Sequence, residues 1–177
     1  MTPDLLTALG VSLCAVGAVA VYFEYHNEIV WFWTGAFLFW AGSLLDILDG
    51  ALARQSGKGT AFGGFLDSTT DRVGEAVMLG AIALVFARHG NEVALAATFA
   101  AMTGSFLVSY TRAKAESLSL TGDVGIGSRA ERVFVIVSGL FLAPWGVLPW
   151  AVYVLNVTVW VTVAQRILHV RRQLKQY

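Results

Sequence analysis

The chain has 177 residues, of which 56% are hydrophobic and only 14% charged, with a formal net charge of zero. A soluble domain carries about 25% charged residues, so the composition points to a bilayer as solvent and against a nucleic-acid partner, which would demand a strong basic excess. A single cysteine, Cys14, excludes an intrachain disulfide and reads as a small core residue within an apolar run.

In chain order, six apolar segments are predicted as membrane-crossing helices: 4–23, 29–53, 61–87, 92–117, 130–143 and 150–172. Turn and breaker clusters separate them at Glu24–Glu28, Gly57–Gly59, Gly90–Asn91, Gly122–Gly127 and Pro144–Pro149. The first run lacks a basic leader, so no cleavable signal peptide is expected. Nothing reads as a repeat or a second unit, and 1–177 is expected to be one all-α transmembrane domain.

Lysine and arginine orient it. One set of helix ends carries Arg54, Lys58, Arg112, Lys114, Arg129, Arg132, Arg166, Arg171, Arg172 and Lys175, with Arg72 slightly inside; the other carries Arg88. The positive-inside rule then predicts both termini in the cytoplasm, and Tyr22, Tyr25, Trp31, Trp33, Trp145 and Trp150 form an aromatic belt at the opposite interface.

Against that background stand four aspartates, Asp46, Asp49, Asp67 and Asp71, in the second and third apolar segments. A carboxylate at membrane depth costs roughly 2.5–3.5 kcal/mol, so four cost about 10–14 kcal/mol unless a cation offsets them. Asp46, Asp49, Gly50 and Ala53 share one face of the second helix; Gly63, Asp67 and Asp71 share one stripe of the third. A rise of 1.5 Å per residue puts both groups near the cytoplasmic boundary. Hard carboxylate oxygens converging from two helices suit one or two Mg²⁺ or Mn²⁺ ions. Glu75 continues the stripe one turn deeper, either supporting the site or packing as a protonated group. His26, His89 and His169 have no partner at metal-ligand spacing and are expected at the surface or at an interface.

The pattern Asp46-x2-Asp49-Gly50-x2-Ala53-Arg54-x8-Gly63-x3-Asp67-x3-Asp71, eight positions over 26 residues, resembles the motif of the CDP-alcohol phosphotransferase family. The opening Thr2-Pro3-Asp4-Leu5-Leu6-Thr7 is similar to that family's nucleotide-contacting segment. The resemblance implies a homodimer in the cell membrane, a polar cavity facing the cytoplasm, and transfer of a phosphatidyl group from CDP-diacylglycerol to an alcohol with release of CMP. It assigns Asp46, Asp49, Asp67 and Asp71 to metal, and Asp71 also to the role of general base. It assigns Asp4, Leu5, Leu6, Thr7, Asp49, Gly50, Ala53, Arg54 and Thr60 to the CDP-lipid. Two divalent ions between the phosphates would neutralise the charge that builds up as the pyrophosphate bond breaks.

The cationic group Arg112, Lys114, Arg129, Arg132 and Arg166 lies at the cytoplasmic ends of the last three helices. Guanidinium groups bind phosphate in bidentate fashion, which favours a phosphorylated acceptor. The segment Ser109-Tyr110-Thr111-Arg112-Ala113-Lys114-Ala115-Glu116, followed by Gly122 and Arg129-Ala130-Glu131-Arg132, is most similar within the family to phosphatidylinositol-phosphate synthases. On that resemblance Arg112, Arg129, Arg132 and Arg166 hold the phosphate of inositol phosphate. Glycerol phosphate, inositol or serine as acceptor, and an archaeal lipid as donor, stay open. An ion-coupled transporter is the main reading from another class, but it would spread its carboxylates across the bilayer instead of gathering them at one face.

Overall fold

In the computed structural model residues 3–55 and 60–175 are described, with side chains for 6–46 and 60–175. The described residues form six long helices and no strand: α1 (Pro3–Tyr22), α2 (Glu28–Gln55), α3 (Ala61–Arg88), α4 (Glu92–Ser117), α5 (Arg129–Phe141) and α6 (Leu148–Leu174). The boundaries follow local chemistry. Thr60 caps α3 by accepting a hydrogen bond from Gly63 N at 2.9 Å, and Asn91 caps α4 by accepting from Ala94 N at 3.0 Å. Gly90 turns between α3 and α4 with φ +67°, a conformation that favours glycine. Glu131 reaches back to accept from Ser128 N at 2.7 Å at the start of α5, the carboxylate half of a capping box.

The segments predicted from the sequence agree with these helices to within two or three residues. Their crossing capacity differs. Glu28–Asp46 of α2, together with α4 and α6, are long and apolar enough to span a membrane. The apolar stretch Leu6–Tyr22 of α1 is shorter. α3 carries Asp67, Asp71, Arg72 and Glu75 between its start and its middle turn, and α5 has only 13 residues, about 20 Å of helix.

Each helix packs chiefly on two others, so that the six close into a ring in the spatial order α1, α3, α4, α6, α5, α2. Phe39, Met78, Leu79, Ile82, Leu140 and Leu155 are its largest fully buried apolar side chains. The seam between α1 and α2 is set by backbone contact. A Cβ on Gly42 would lie 2.6 Å from Gly10 O, and one on Gly35 would lie 2.8 Å from Gly17 O. These two antiparallel glycine pairs stand seven residues apart and draw α1 and α2 closer than side chains would permit.

At the end of the ring away from the aspartates, the buried Glu24 accepts from Arg88 Nη1 at 2.6 Å, and the same nitrogen donates to Tyr22 O at 2.9 Å. The Arg88 guanidinium also lies over the rings of Tyr22 and Tyr25, 4.7 and 4.5 Å from their centroids. His89 Nε2 stands 3.5 Å from the second Glu24 oxygen. This cluster ties the α1–α2 turn to the α3–α4 turn and fixes the ring at the end opposite its chemistry.

Candidate active site

Helical periodicity and the packing of both α2 and α3 against α1 bring the aspartates together. Asp46 of α2 is buried, Asp67 and Asp71 of α3 are half-buried, and one carboxylate oxygen from each lies within 4.8 Å of the others. Asp71 Oδ1 is buried and lies 2.6 Å from Arg129 Nη2, out of line for a hydrogen bond and with no other partner among the described residues. Like charges at that separation repel, and a buried oxygen without a donor is costly. Hard oxygens from three carboxylates, one of them lacking a donor, fit a divalent cation of the Mg²⁺ or Mn²⁺ type. Asp49, the fourth expected ligand, falls outside the described side chains, as do Asp4, Leu5, Gly50, Ala53 and Arg54. Of the remaining expected nucleotide contacts, Leu6 is half-buried, Thr7 is buried and Thr60 is exposed at the start of α3.

Two rungs join α3 to α5. Arg129, the first residue of α5, donates from Nη1 to Asp46 Oδ2 and sets Nη2 against Asp71. One turn deeper, Arg132 donates from Nε to Glu75 Oε1 at 2.8 Å and from Nη2 to Glu75 Oε2 at 3.0 Å, while its Nη1 donates to Gly127 O at 2.8 Å. The spacing of four residues on α3, Asp71 to Glu75, thus meets a spacing of three on α5. Glu75, left open between two roles by the sequence, is the carboxylate of a buried forked ion pair. Arg132, expected to hold an acceptor phosphate, commits three of its five N–H groups to this pair and to the loop before α5.

The other arginines complete a polar cavity of about 530 Å³ bounded by α3, α4, α5, α6 and the loop before α5. Arg112 of α4 donates from Nε to Glu116 Oε1 at 2.9 Å and faces Asp123 at 3.3 Å. Arg166 of α6 is buried, donating from Nε to Val124 O at 2.9 Å and from Nη1 to Val108 O. Arg112, Arg129, Arg132 and Arg166, far apart in sequence, line one cavity together with Asp67 and Asp71. Arg72 lines it as well. From the sequence Arg72 reads only as an orienting charge slightly inside the third helix. Lys114 is not among the lining residues; it faces a separate groove between α4 and α6.

A three-carboxylate site open to an arginine-lined cavity, at one end of a helical ring, is suited to moving a phosphate-bearing group. The model of the CDP-alcohol phosphatidyltransferase family matches residues 1–169. The chain belongs to that family. As a CDP-alcohol phosphatidyltransferase it has relatives of known name along almost its whole length. It is 37% identical over 177 residues to the archaetidylinositol phosphate synthase of Pyrococcus horikoshii, covering 99% of this chain and 86% of the relative. It is 38% identical over 184 residues to the phosphatidylinositol phosphate synthase of Cutibacterium acnes, covering 97% and 86%. The phosphatidylinositol phosphate synthase of Mycobacterium tuberculosis, solved with CDP-DAG bound, superposes with a TM-score of 0.85 at 30% identity, covering 96% of this chain and 86% of that one. The same mycobacterial enzyme in complex with manganese and citrate also gives a TM-score of 0.85, at 32% identity and 96% and 82% coverage.

Proposed function

We propose that this CDP-alcohol phosphatidyltransferase moves a phosphatidyl group from CDP-diacylglycerol to a hydroxyl of inositol phosphate and releases CMP. The observation that carries the acceptor is the cavity in which Arg72, Arg112, Arg129, Arg132 and Arg166 gather beside Asp67 and Asp71. Five arginines within reach of one cavity favour a ligand that brings its own phosphate over neutral inositol or serine. The names of the bacterial relatives support inositol phosphate over glycerol phosphate.

In this reading Asp46, Asp67 and Asp71, with Asp49, hold divalent metal, which supplies neutralisation of the pyrophosphate as its bond breaks. The manganese in the mycobacterial relative supports such a site, and two ions are expected. Asp71 borders both the carboxylate cluster and the arginine cavity, where it takes the proton of the attacking hydroxyl. Arg112 and Arg166 bind the acceptor phosphate, Arg129 bridges acceptor and aspartates, and Arg132 is held by Glu75 as part of the cavity wall. Asp4 to Thr7, Asp49, Gly50, Ala53, Arg54 and Thr60 contact the CDP moiety.

The single domain 1–177 crosses the cell membrane six times with both termini and the site on the cytoplasmic side, and it works as a homodimer. Support for this topology is the gathering of basic residues at the aspartate end, with Arg88 and the aromatic belt at the other. The archaeal relative favours a second donor, a CDP-archaeol-type lipid.

The test is CMP release by purified protein with Mg²⁺, comparing inositol phosphate, glycerol phosphate, inositol and serine against both lipid donors. Release with inositol phosphate, abolished by EDTA and restored by Mg²⁺ or Mn²⁺, is expected. Equal release with free inositol would overturn the role given to the arginines.

A further inference from the structure

Between the ends of α4 and α6, on the far side of Arg166 from the arginine cavity, lies a second groove of about 430 Å³. Apart from Thr111 its lining combines apolar side chains and cations: Tyr110, Ile167 and Leu174 alternate with Lys114, Arg171 and Lys175. No Asp or Glu lines it, and Lys114, Arg171 and Lys175 enter no ion pair among the described residues. Every arginine expected in the acceptor site, by contrast, is engaged by a carboxylate or a carbonyl. The apolar side chains are also left uncovered by the protein, Tyr110 being 61% and Ile167 55% exposed.

Position along the helices orders the two chemistries. Tyr110 and Ile167 each lie one turn deeper than Lys114 and Arg171 respectively, giving an apolar floor beneath these cations, while Leu118 and Leu174 continue the apolar lining beyond them. A basic pocket between membrane helices at their cytoplasmic ends suits a negatively charged lipid headgroup, with its chain along the apolar floor. We infer that the α4–α6 groove binds an anionic phospholipid of the surrounding leaflet, separate from the donor and acceptor sites, with Lys114, Arg171 and Lys175 on its phosphate. Arg166 lines the groove and the arginine cavity alike, so occupancy bears on the wall of the acceptor site. The assignment of the leaflet rests on the proposed topology; the site itself does not.

The experiment is native mass spectrometry of the full chain with equimolar phosphatidylglycerol and phosphatidylcholine, in saturating CDP-diacylglycerol so that the donor site is filled. Wild type is expected to retain phosphatidylglycerol over phosphatidylcholine by more than tenfold, and rising ionic strength is expected to erode that excess. The triple variant K114Q/R171Q/K175Q is expected to lose the excess while its CMP release in phosphatidylcholine alone is unchanged. Equal retention of the two lipids by wild type would overturn the inference, whether or not the variant folds. So would an excess that survives the triple substitution, or exclusion of both lipids because a second copy of the chain covers the groove. Failure of the phosphatidyltransferase reading would appear in the same spectra as absence of retained CDP-diacylglycerol, and so is separable.

Discussion

Arg129 Nη2 stands 2.6 Å from Asp71 Oδ1, while the other terminal nitrogen of the same guanidinium donates to Asp46. One arginine therefore joins the carboxylates of α2 and α3 to the first turn of α5, and its charge shares their oxygens with any cation bound there. Replacing it with glutamine is expected to tighten Mn²⁺ binding several-fold, measured by titration of the Mn²⁺ resonance signal. It is also expected to raise the KM for inositol phosphate. Weaker Mn²⁺ binding in Arg129→Gln would show that the guanidinium organises the aspartates instead of competing for them.

Asp71→Asn keeps the shape of the side chain but removes both its charge and its capacity to take a proton. General-base catalysis contributes roughly 10²–10⁴-fold, so CMP release is expected to fall by at least that factor. Retention of CDP-diacylglycerol should change little. Normal turnover in this variant would refute the role assigned to Asp71.

Glu75 and Arg132 are both buried and satisfy each other through two hydrogen bonds. Removing one partner of such a pair costs about 3–5 kcal/mol, because the survivor is left charged and unpaired. Glu75→Leu alone and Arg132→Met alone are each expected to lower the thermal midpoint strongly. The double variant should recover most of the loss, and a double-mutant cycle reads the coupling. Additive losses would mean that the two side chains act independently.

Gly42 and Gly80 provide a matched pair. A methyl group on Gly42 would meet Gly10 O at 2.6 Å and Cys14 Sγ at 2.9 Å, whereas one on Gly80 meets nothing within 4 Å. Gly42→Ala is expected to cost about 1–3 kcal/mol by forcing α1 and α2 apart. Gly80→Ala is expected to be neutral, or to stabilise by up to about 1 kcal/mol through helix propensity. Thermal unfolding in one detergent compares them directly; equal midpoints would mean that the α1–α2 seam yields without cost.

Local pattern alone determined the six helices, because breakers and caps such as Gly90, Asn91 and the Ser128–Glu131 pair act within a few residues of themselves. It also determined that Asp46 and the Asp67–Asp71 stripe face inward, since a carboxylate turned to lipid is costly and the helical period leaves them one shared face each. The family signature, being local in α2 and α3, was legible for the same reason. The partners of those faces were not. That Arg129 meets Asp46 across 83 residues, that Glu75 meets Arg132, and that Lys114 parts company with Arg112 follow from the order in which the helices close their ring. That order depends on contacts between distant segments, above all the glycine seam of α1 and α2, and the tertiary structure shows at which glycines a Cβ would meet backbone and at which, like Gly80 of α3, it would meet nothing within 4 Å. Periodicity states which face of a helix is buried; only the packed ring decides what it is buried against.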